Sequence, residues 1–157
     1  MLTSIAEADL FDMSRIAYVC LIVVLISGCS PDDPTAQLRQ VIDAAEQAVE
    51  ERSTSHFRGL ISANYVDGRG RHKEEVIGAI RGYFLLNANI EVLNRVQDIS
   101  LNGQDAATVV MNTALISQAQ GRSLLGIDGD LYRLELELVR EDSDWLVIGA
   151  DWERTLQ

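Results

Sequence analysis

One stretch of this sequence alternates strictly between apolar and charged side chains: Leu131-Tyr132-Arg133-Leu134-Glu135-Leu136-Glu137-Leu138-Val139-Arg140. A period of two is typical of a half-exposed antiparallel strand, because successive side chains point to opposite faces of a sheet. The apolar face consists of Tyr132, Leu134, Leu136 and Leu138. We therefore predict that these four side chains pack on helices, while Arg133, Glu135 and Glu137 face water.

The residues that follow predict the partner of this strand. A polar turn over 141–144 leads into a second apolar run over 145–152, so 131–140 and 145–152 should form an antiparallel hairpin. Trp145 and Trp152 are an odd number of residues apart in that run. Strict alternation places them on opposite faces, one in the core and the other half-exposed or at an interface.

Two further strands are predicted upstream, over 90–101 and 106–119. In the first, strict alternation would put Asp98 on the same face as Val92 and Asn94, and would put Ile99 on the other face. This conflict indicates a bulge or a change of face near Asp98. We interpret Asp98 first as a solvated strand residue and only second as a catalytic base.

Helices occupy the region before the strands. Apolar residues recur at steps of three and four over 35–52 and again over 73–87, and residues 56–65 between them could hold a short helical turn. In the first helix, Glu46 is assigned to the polar face together with Arg39, Asp43, Glu50 and Glu51. Helices followed by a four-stranded meander indicate an α+β domain with the helices on one face of a curved sheet.

The N-terminal region has a different character. Residues 16–26 form a run of eleven uncharged residues behind Arg15, which suits the core of a signal peptide and is too short for a membrane-spanning helix. Residues 1–12 contain Glu7, Asp9 and Asp12 but no Lys or Arg, unlike an export signal. We interpret them as an over-long start, with Met13 as the better one.

The run ends in Ile26-Ser27-Gly28-Cys29, which resembles the lipobox of bacterial lipoproteins. The resemblance implies that residues 1–28 are a removed signal peptide, that Cys29 is lipidated, and that 29–34 form a tether before a domain over 35–157. It also implies a bacterial envelope protein held to the membrane by this lipid. Because Ser30 rather than Asp follows the cysteine, the resemblance further implies the outer membrane, facing the periplasm.

Composition narrows the partners. The chain has 157 residues and a formal charge of −11, and loss of residues 1–28 would leave 12 basic and 21 acidic side chains. Such a balance argues against nucleic acid, whose phosphates require clustered Lys and Arg. Cys20 and Cys29 are the only cysteines, His56 and His72 are the only histidines, and no metal-ligand spacing occurs. We predict neither a metal nor a cofactor.

Four short phrases and the order of elements resemble the NTF2-like superfamily: Asn64-Tyr65-Val66-Asp67-Gly68, Gly82-Tyr83-Phe84, Asp105-Ala106-Ala107-Thr108-Val109-Val110 and Asp144-Trp145-Leu146-Val147. The resemblance covers about 35–155. It implies an α+β cone in which N-terminal helices pack on a curved, mostly antiparallel sheet of about four to six strands. The group includes SnoaL-like cyclases, ketosteroid isomerase and many proteins with no known activity.

In enzymes of this group, a carboxylate base and a hydroxyl or acid donor lie on the inner wall of a pocket. The resemblance therefore suggests Asp98, Asp67 and Tyr83 as catalytic candidates. Tyr65 and Asn112 are candidates for ligand binding. The one basic cluster, Arg69, Arg71, His72 and Lys73, is either a solvated loop or a contact for an anionic ligand or partner.

Three functions remain open at this point. The favoured one is a lipid-anchored, non-catalytic module that binds a small apolar ligand or a protein partner. The second is an envelope enzyme of the isomerase, dehydratase or cyclase type that uses a pocket carboxylate. The third is a structural assembly factor that works as a homodimer through its exposed sheet. The sequence does not convincingly group two acid–base residues in one pocket. We therefore favour the binding module over the enzyme.

Overall fold

A computed structural model describes residues 33–119 and 127–155. Three helices precede four strands in these residues. The elements are α1 (Pro34–Glu50), α2 (Thr54–Gly59), α3 (Lys73–Leu86), β1 (Asn87–Leu101), β2 (Ala106–Ala119), β3 (Ile127–Glu141) and β4 (Asp144–Arg154). No helix in the described part of the chain is long and apolar enough to cross a membrane. The predicted signal peptide and Cys29 lie outside the described residues.

The four strands form one antiparallel sheet in the order β1-β2-β3-β4. The predicted hairpin is confirmed as β3 and β4, joined by a tight turn in which Asp142 and Ser143 have φ of 48° and 80°. Two consecutive positive φ values are typical of the hairpin turn that matches the strand twist. Helices cover one face of the curved sheet, so the predicted α+β cone is confirmed.

Bulges in two strands change which side chains point inward. In β1 the pairing with β2 shifts between Val96 and Asp98, which confirms the predicted bulge and leaves Asp98 exposed. In β4 the pairing with β3 skips Ile148. This extra residue resets the alternation, so Trp145 and Trp152 both lie on the inner face. The predicted placement of the two tryptophans on opposite faces is therefore wrong.

The outer edge of β4 is covered by the segment 60–68 that follows α2. Backbone N–H groups of Ser62, Val66 and Gly68 donate to carbonyls of β4 at 2.9, 3.0 and 3.2 Å, and Val147 N–H donates back to Leu60 O at 2.9 Å. These bonds satisfy the edge groups that a terminal strand would otherwise expose. They also fix residues 65–71 beside the inner face of β4.

The hydrophobic core has two separate clusters on the inner face. The larger one joins Leu38 of α1 and Ile77 of α3 to Val109, Leu138 and Trp145 of the sheet. The smaller one, near the junction of α3 and β1, contains the buried residues Phe84, Ile90 and Val92.

The prediction that four side chains of β3 pack on the helices holds fully only for Leu138, which is 1% exposed. Tyr132, Leu134 and Leu136 do point inward, but they are only half-buried because a cavity lies between them and the helices. Alternation sets the face on which a side chain lies, whereas the distance to the opposing helix decides whether that face is filled.

Candidate functional site

A cavity of about 480 Å³ lies between the helices and the inner face of the sheet. Its wall is mainly aliphatic and aromatic, and the aromatic members are Phe57, Tyr65, Tyr83, Tyr132 and Trp152. Ligand sites in proteins are commonly clefts of 300–1,000 Å³ with an apolar lining and few polar groups. The cavity therefore has the size and lining of a small-molecule site.

A hydrogen-bonded chain of polar side chains crosses the cavity wall at the β1 side. Thr113 Oγ1 donates to Asn94 Oδ1 at 2.7 Å, and Asn94 Nδ2 donates to Glu46 Oε2 at 2.9 Å. Thr113 and Asn94 are paired across β2 and β1. Glu46 Oε1 has no hydrogen-bond partner among the described residues, although Oε2 is held in place by Asn94. One carboxylate oxygen is thus available beside an apolar wall.

The assignment of Glu46 to the polar face of its helix is wrong. Glu46 lies four residues after Ile42 and three before Val49, so helical geometry puts all three on one face. Ile42 is buried, and Glu46 and Val49 line the cavity. A second signal of a site at this position was Asn94, which shares a strand face with the apolar Val92. A polar residue on an apolar strand face is often part of a functional site.

At the β4 side, a buried carboxylate holds an arginine at the cavity. Asp67 Oδ1 accepts from the backbone N–H groups of Arg69 and Arg71, both at 2.9 Å, and Asp67 Oδ2 accepts from Arg71 Nε at 2.7 Å. The guanidinium carbons of Arg71 and Arg69 each lie 4.9 Å from the centre of a Trp152 ring. Such distances suit cation–π attraction. Arg71 and Trp152 line the cavity.

The electrostatics of this end follow from burial and these hydrogen bonds. Burial would by itself raise the pKa of Asp67, but the hydrogen bonds from Arg71 and Arg69 outweigh it and hold the pKa below its ordinary value. Burial, with the nearby Asp67 carboxylate, raises the pKa of Tyr65 to about 12. Burial and the hydrogen bond to Asp130 raise the pKa of Tyr132. Both tyrosines are therefore neutral hydroxyl donors at physiological pH.

Some of the predicted site residues line the cavity, and others do not. Tyr65 and Tyr83 line the cavity. Asp67 is buried behind Arg71 and is not part of the wall. Asp98 is exposed, and its Oδ2 accepts from Ser100 Oγ at 2.6 Å, so it is wrong as a pocket base. Asn112 lies between the inward-facing Met111 and Thr113 and therefore points away from the cavity, so it is wrong as a pocket residue.

Metal ligation finds no support in this region. Among residues 33–119 and 127–155, no group of three or more His, Cys, Asp or Glu side chains could hold a metal ion. The polar groups of the wall are hydroxyls, one amide, one carboxylate, one guanidinium and the indole N–H of Trp152.

No protein-family model and no curated protein matches this sequence. Solved structures do match. A protein of the NTF2-like family from Streptomyces avermitilis, provisionally assigned as a dehydratase, aligns with a TM-score of 0.69 at 18% identity, covering 81% of this chain and 100% of that one. A ketosteroid isomerase-like protein from Erwinia carotovora atroseptica aligns with a TM-score of 0.65 at 13% identity, covering 80% and 99%.

A third structure, an NTF2-like superfamily protein from Salmonella enterica, aligns with a TM-score of 0.65 at 10% identity, covering 78% of this chain and 91% of that one. At sequence identities this low, the likeness shows a shared fold alone. The described part of this chain therefore has the NTF2-like fold.

Proposed function

We propose that this protein is a lipid-anchored protein of the bacterial envelope whose NTF2-like domain binds a small, largely apolar ligand without transforming it. The observation that carries the proposal is the cavity of about 480 Å³, whose wall is dominated by aliphatic and aromatic side chains. Burying such a ligand removes apolar surface from water at about 25 cal/mol for each Å². A filled interior would instead have favoured a purely structural module.

The predicted acid–base residues do not assemble in the cavity, which favours binding over catalysis. Asp98 is exposed, and the lowered pKa of Asp67 makes it a weak base that is already engaged by Arg71. A general base requires reach to the substrate proton and a pKa near the working pH.

Identification of the co-purified ligand tests the proposal. The full chain is extracted from host membranes with a styrene–maleic acid copolymer, so that no detergent competes for the cavity, and bound small molecules are identified by mass spectrometry. Ala45 lines the cavity, whereas Ala36 is exposed on the same helix. We expect Ala45→Phe to lose the ligand and Ala36→Phe to keep it. Equal recovery from both variants would contradict binding in this cavity.

The lipid anchor is supported by Ile26-Ser27-Gly28-Cys29. We expect Cys29→Ser to release the protein from the membrane fraction, because the acidic balance of the sequence argues against a basic face that would hold it there. Cys20→Ser is the matched control and should remain anchored, since residue 20 lies in the segment to be removed. A mature protein that begins at residue 1 in its native host would overturn this part, and recovery in the inner membrane alone would overturn the outer-membrane location.

A second candidate function rests on Glu46. Glu46 lines the cavity and Asn94 holds its Oε2, an arrangement that suits proton abstraction by the other carboxylate oxygen from a bound carbon acid. The test is deuterium incorporation from heavy water into cyclohexenone, followed by NMR. An isomerase-type enzyme requires exchange that Glu46→Gln abolishes and Asp98→Asn leaves intact. Exchange at the uncatalysed rate with the unmodified protein would remove this candidate.

A further inference from the structure

The cavity has a carboxylate at one side and, at the other, a guanidinium that is paired with the buried Asp67. Glu46 lies against Asn94 of β1, and Arg71 lies against Trp152 of β4. β1 and β4 are the first and last strands of the four-stranded sheet. Three inter-strand spacings separate them, or about 14 Å along the sheet. The wall between them carries Met111, Leu115 and Leu134.

The guanidinium end has donors that the protein does not use. In the Arg71 side chain, only Nε donates to Asp67. Neither Nη atom of Arg71 has a hydrogen-bond partner among the described residues. Tyr65 is 2% exposed and lines the cavity, yet its hydroxyl makes no hydrogen bond to any described residue. This hydroxyl oxygen is not among the fully buried atoms that lack a partner, so it is accessible from the cavity and can donate to a bound acceptor.

The location of Asp67 explains how this end remains ready for an anion. Its side chain is fully buried, and three hydrogen bonds from Arg69 and Arg71 use both of its oxygens. The bond to Nε fixes the plane of the guanidinium against Trp152 and leaves the paired Nη edge open. A guanidinium fork of this kind matches the two oxygens of a carboxylate. Arg69, stacked on the same indole ring, adds a second positive charge nearby.

The carboxylate end has the complementary property. Glu46 Oε1 accepts no hydrogen bond from the described residues, and the amide of Asn94 prevents the side chain from turning away. An ionised carboxylate is only an acceptor, so it selects a hydroxyl or an amine on the ligand. Each end therefore rejects the group that the other accepts.

On the basis of the proposed ligand-binding function, we propose that the ligand is an elongated molecule with an apolar middle, a carboxylate that binds Arg71 and Tyr65, and a hydroxyl group that donates to Glu46. Binding involves no covalent step. The apolar middle lies along the inner face of β2 and β3, where Met111, Leu134 and Leu115 line the cavity.

Three probes of similar apolar content test the proposal: ω-hydroxydecanoate, decanoate and decanol. Their binding to the full chain in copolymer nanodiscs is measured by calorimetry, with the heat from empty nanodiscs subtracted. We expect ω-hydroxydecanoate to bind most tightly. Arg71→Met should weaken the binding of both carboxylates by about tenfold or more and leave the binding of decanol unchanged, because the charged hydrogen bonds to the guanidinium are lost.

Matched controls separate a specific contact from a general charge effect. Arg69→Met removes the same charge from the same loop and the same indole ring, but Arg69 is not part of the cavity wall. It should change carboxylate binding much less than Arg71→Met. Glu46→Gln should weaken the binding of ω-hydroxydecanoate and decanol but not that of decanoate. Asp43 is an exposed acid on the same helix, so Asp43→Asn should not change the binding of any probe.

The outcomes distinguish this proposal from the broader one. If all three probes bind equally and no end variant matters, the cavity still binds apolar ligands but the two-ended ligand is overturned. Equal losses from Arg71→Met and Arg69→Met would also overturn it. If none of the probes binds and no ligand is recovered from host membranes, the proposed function fails together with the inference.

Discussion

Two regions of the inner sheet face are built from the same strands but differ in how they are filled. Ala107 of β2 and Leu138 of β3 form one row, are 2% and 1% exposed, and do not line the cavity. Two rows further along, the equivalent residues are Met111 and Leu134, with Trp152 beside Leu134 on β4, and all three line the cavity. The difference shows that an apolar strand face can belong to the packed core at one end and to the wall of a cavity at the other.

The helices cause this difference. Leu38 and Ile77, at 0% and 1% exposed, fill the space above the first row. Above the second row, α1 and α3 present the smaller or polar side chains Ala45, Glu46 and Ala79, which leave room. Dense packing is the ordinary condition of a protein interior, so a gap of this size sets the second row apart from the first.

Substitution of the same residue type in the two regions should give the largest contrast. Leu138→Ala removes a fully buried side chain and should lower the free energy of unfolding by about 2–5 kcal/mol. Leu134→Ala, on the same strand and face, should cost about 1 kcal/mol, because its side chain already borders empty space. Urea denaturation followed by circular dichroism measures both. Equal losses would mean that the second region is packed like the first.

The second largest effect on stability is expected from the Asp67–Arg71 ion pair at the β4 side of the cavity. Asp67→Asn should lower the free energy of unfolding by about 1–3 kcal/mol at pH 7, because a charged acceptor of three hydrogen bonds is lost. The folded-state pKa of Asp67 is lowered, so this contribution is complete above about pH 4, the unfolded-state value, and is lost as pH falls through the folded-state pKa.

The measurement for Asp67 is the difference in unfolding free energy between the unmodified protein and Asp67→Asn from pH 7 to pH 2. We expect the difference to shrink below about pH 4. A difference that stays constant over this range would contradict the charged role of Asp67. Asp98→Asn is the control, because Asp98 is exposed and its substitution should change the free energy of unfolding by less than about 0.5 kcal/mol.

Substitution of Tyr65 should have the smallest effect on stability at neutral pH and a separate effect on stability at high pH. Its pKa is raised from 10.0 to about 12, so its contribution to stability is complete below pH 10 and is lost as pH rises from about 10 to 12. Tyr65→Phe should therefore lose less stability over that interval than the unmodified protein, by roughly 2 kcal/mol. Thermal melts at stepped pH measure it. Parallel alkaline losses in both proteins would show that the Tyr65 hydroxyl is not buried.

Much of the architecture was predictable because it depends on local periodicity. The alternation of β3 and the helical spacing of α1 and α3 identified the elements, and the conflict at Asp98 identified the β1 bulge. The β4 bulge at Ile148 was not predictable, since the run 145–152 is apolar almost throughout and shows no break in its pattern. The two tryptophans were misplaced for this reason.

The site was less predictable because it depends on contacts between residues far apart in the sequence. Tyr65 and Tyr83 were identified through a family resemblance, and both line the cavity. Glu46 was missed although its helical spacing from Ile42 was visible, because charged residues on helices are usually solvated. The role of Asp67 also differs from the prediction: it holds Arg71 and does not itself face the cavity.

The most direct test of the account compares two alanines on α1. Ala45 lines the cavity, and Ala48, one turn away, is 1% exposed in the packed interior. We predict that Ala45→Phe fills empty space and leaves the melting temperature unchanged or raised, whereas Ala48→Phe overpacks the core and costs about 1–3 kcal/mol or more. Differential scanning calorimetry of the two full-length variants measures this contrast. Equal destabilisation by both substitutions would contradict the existence of the cavity.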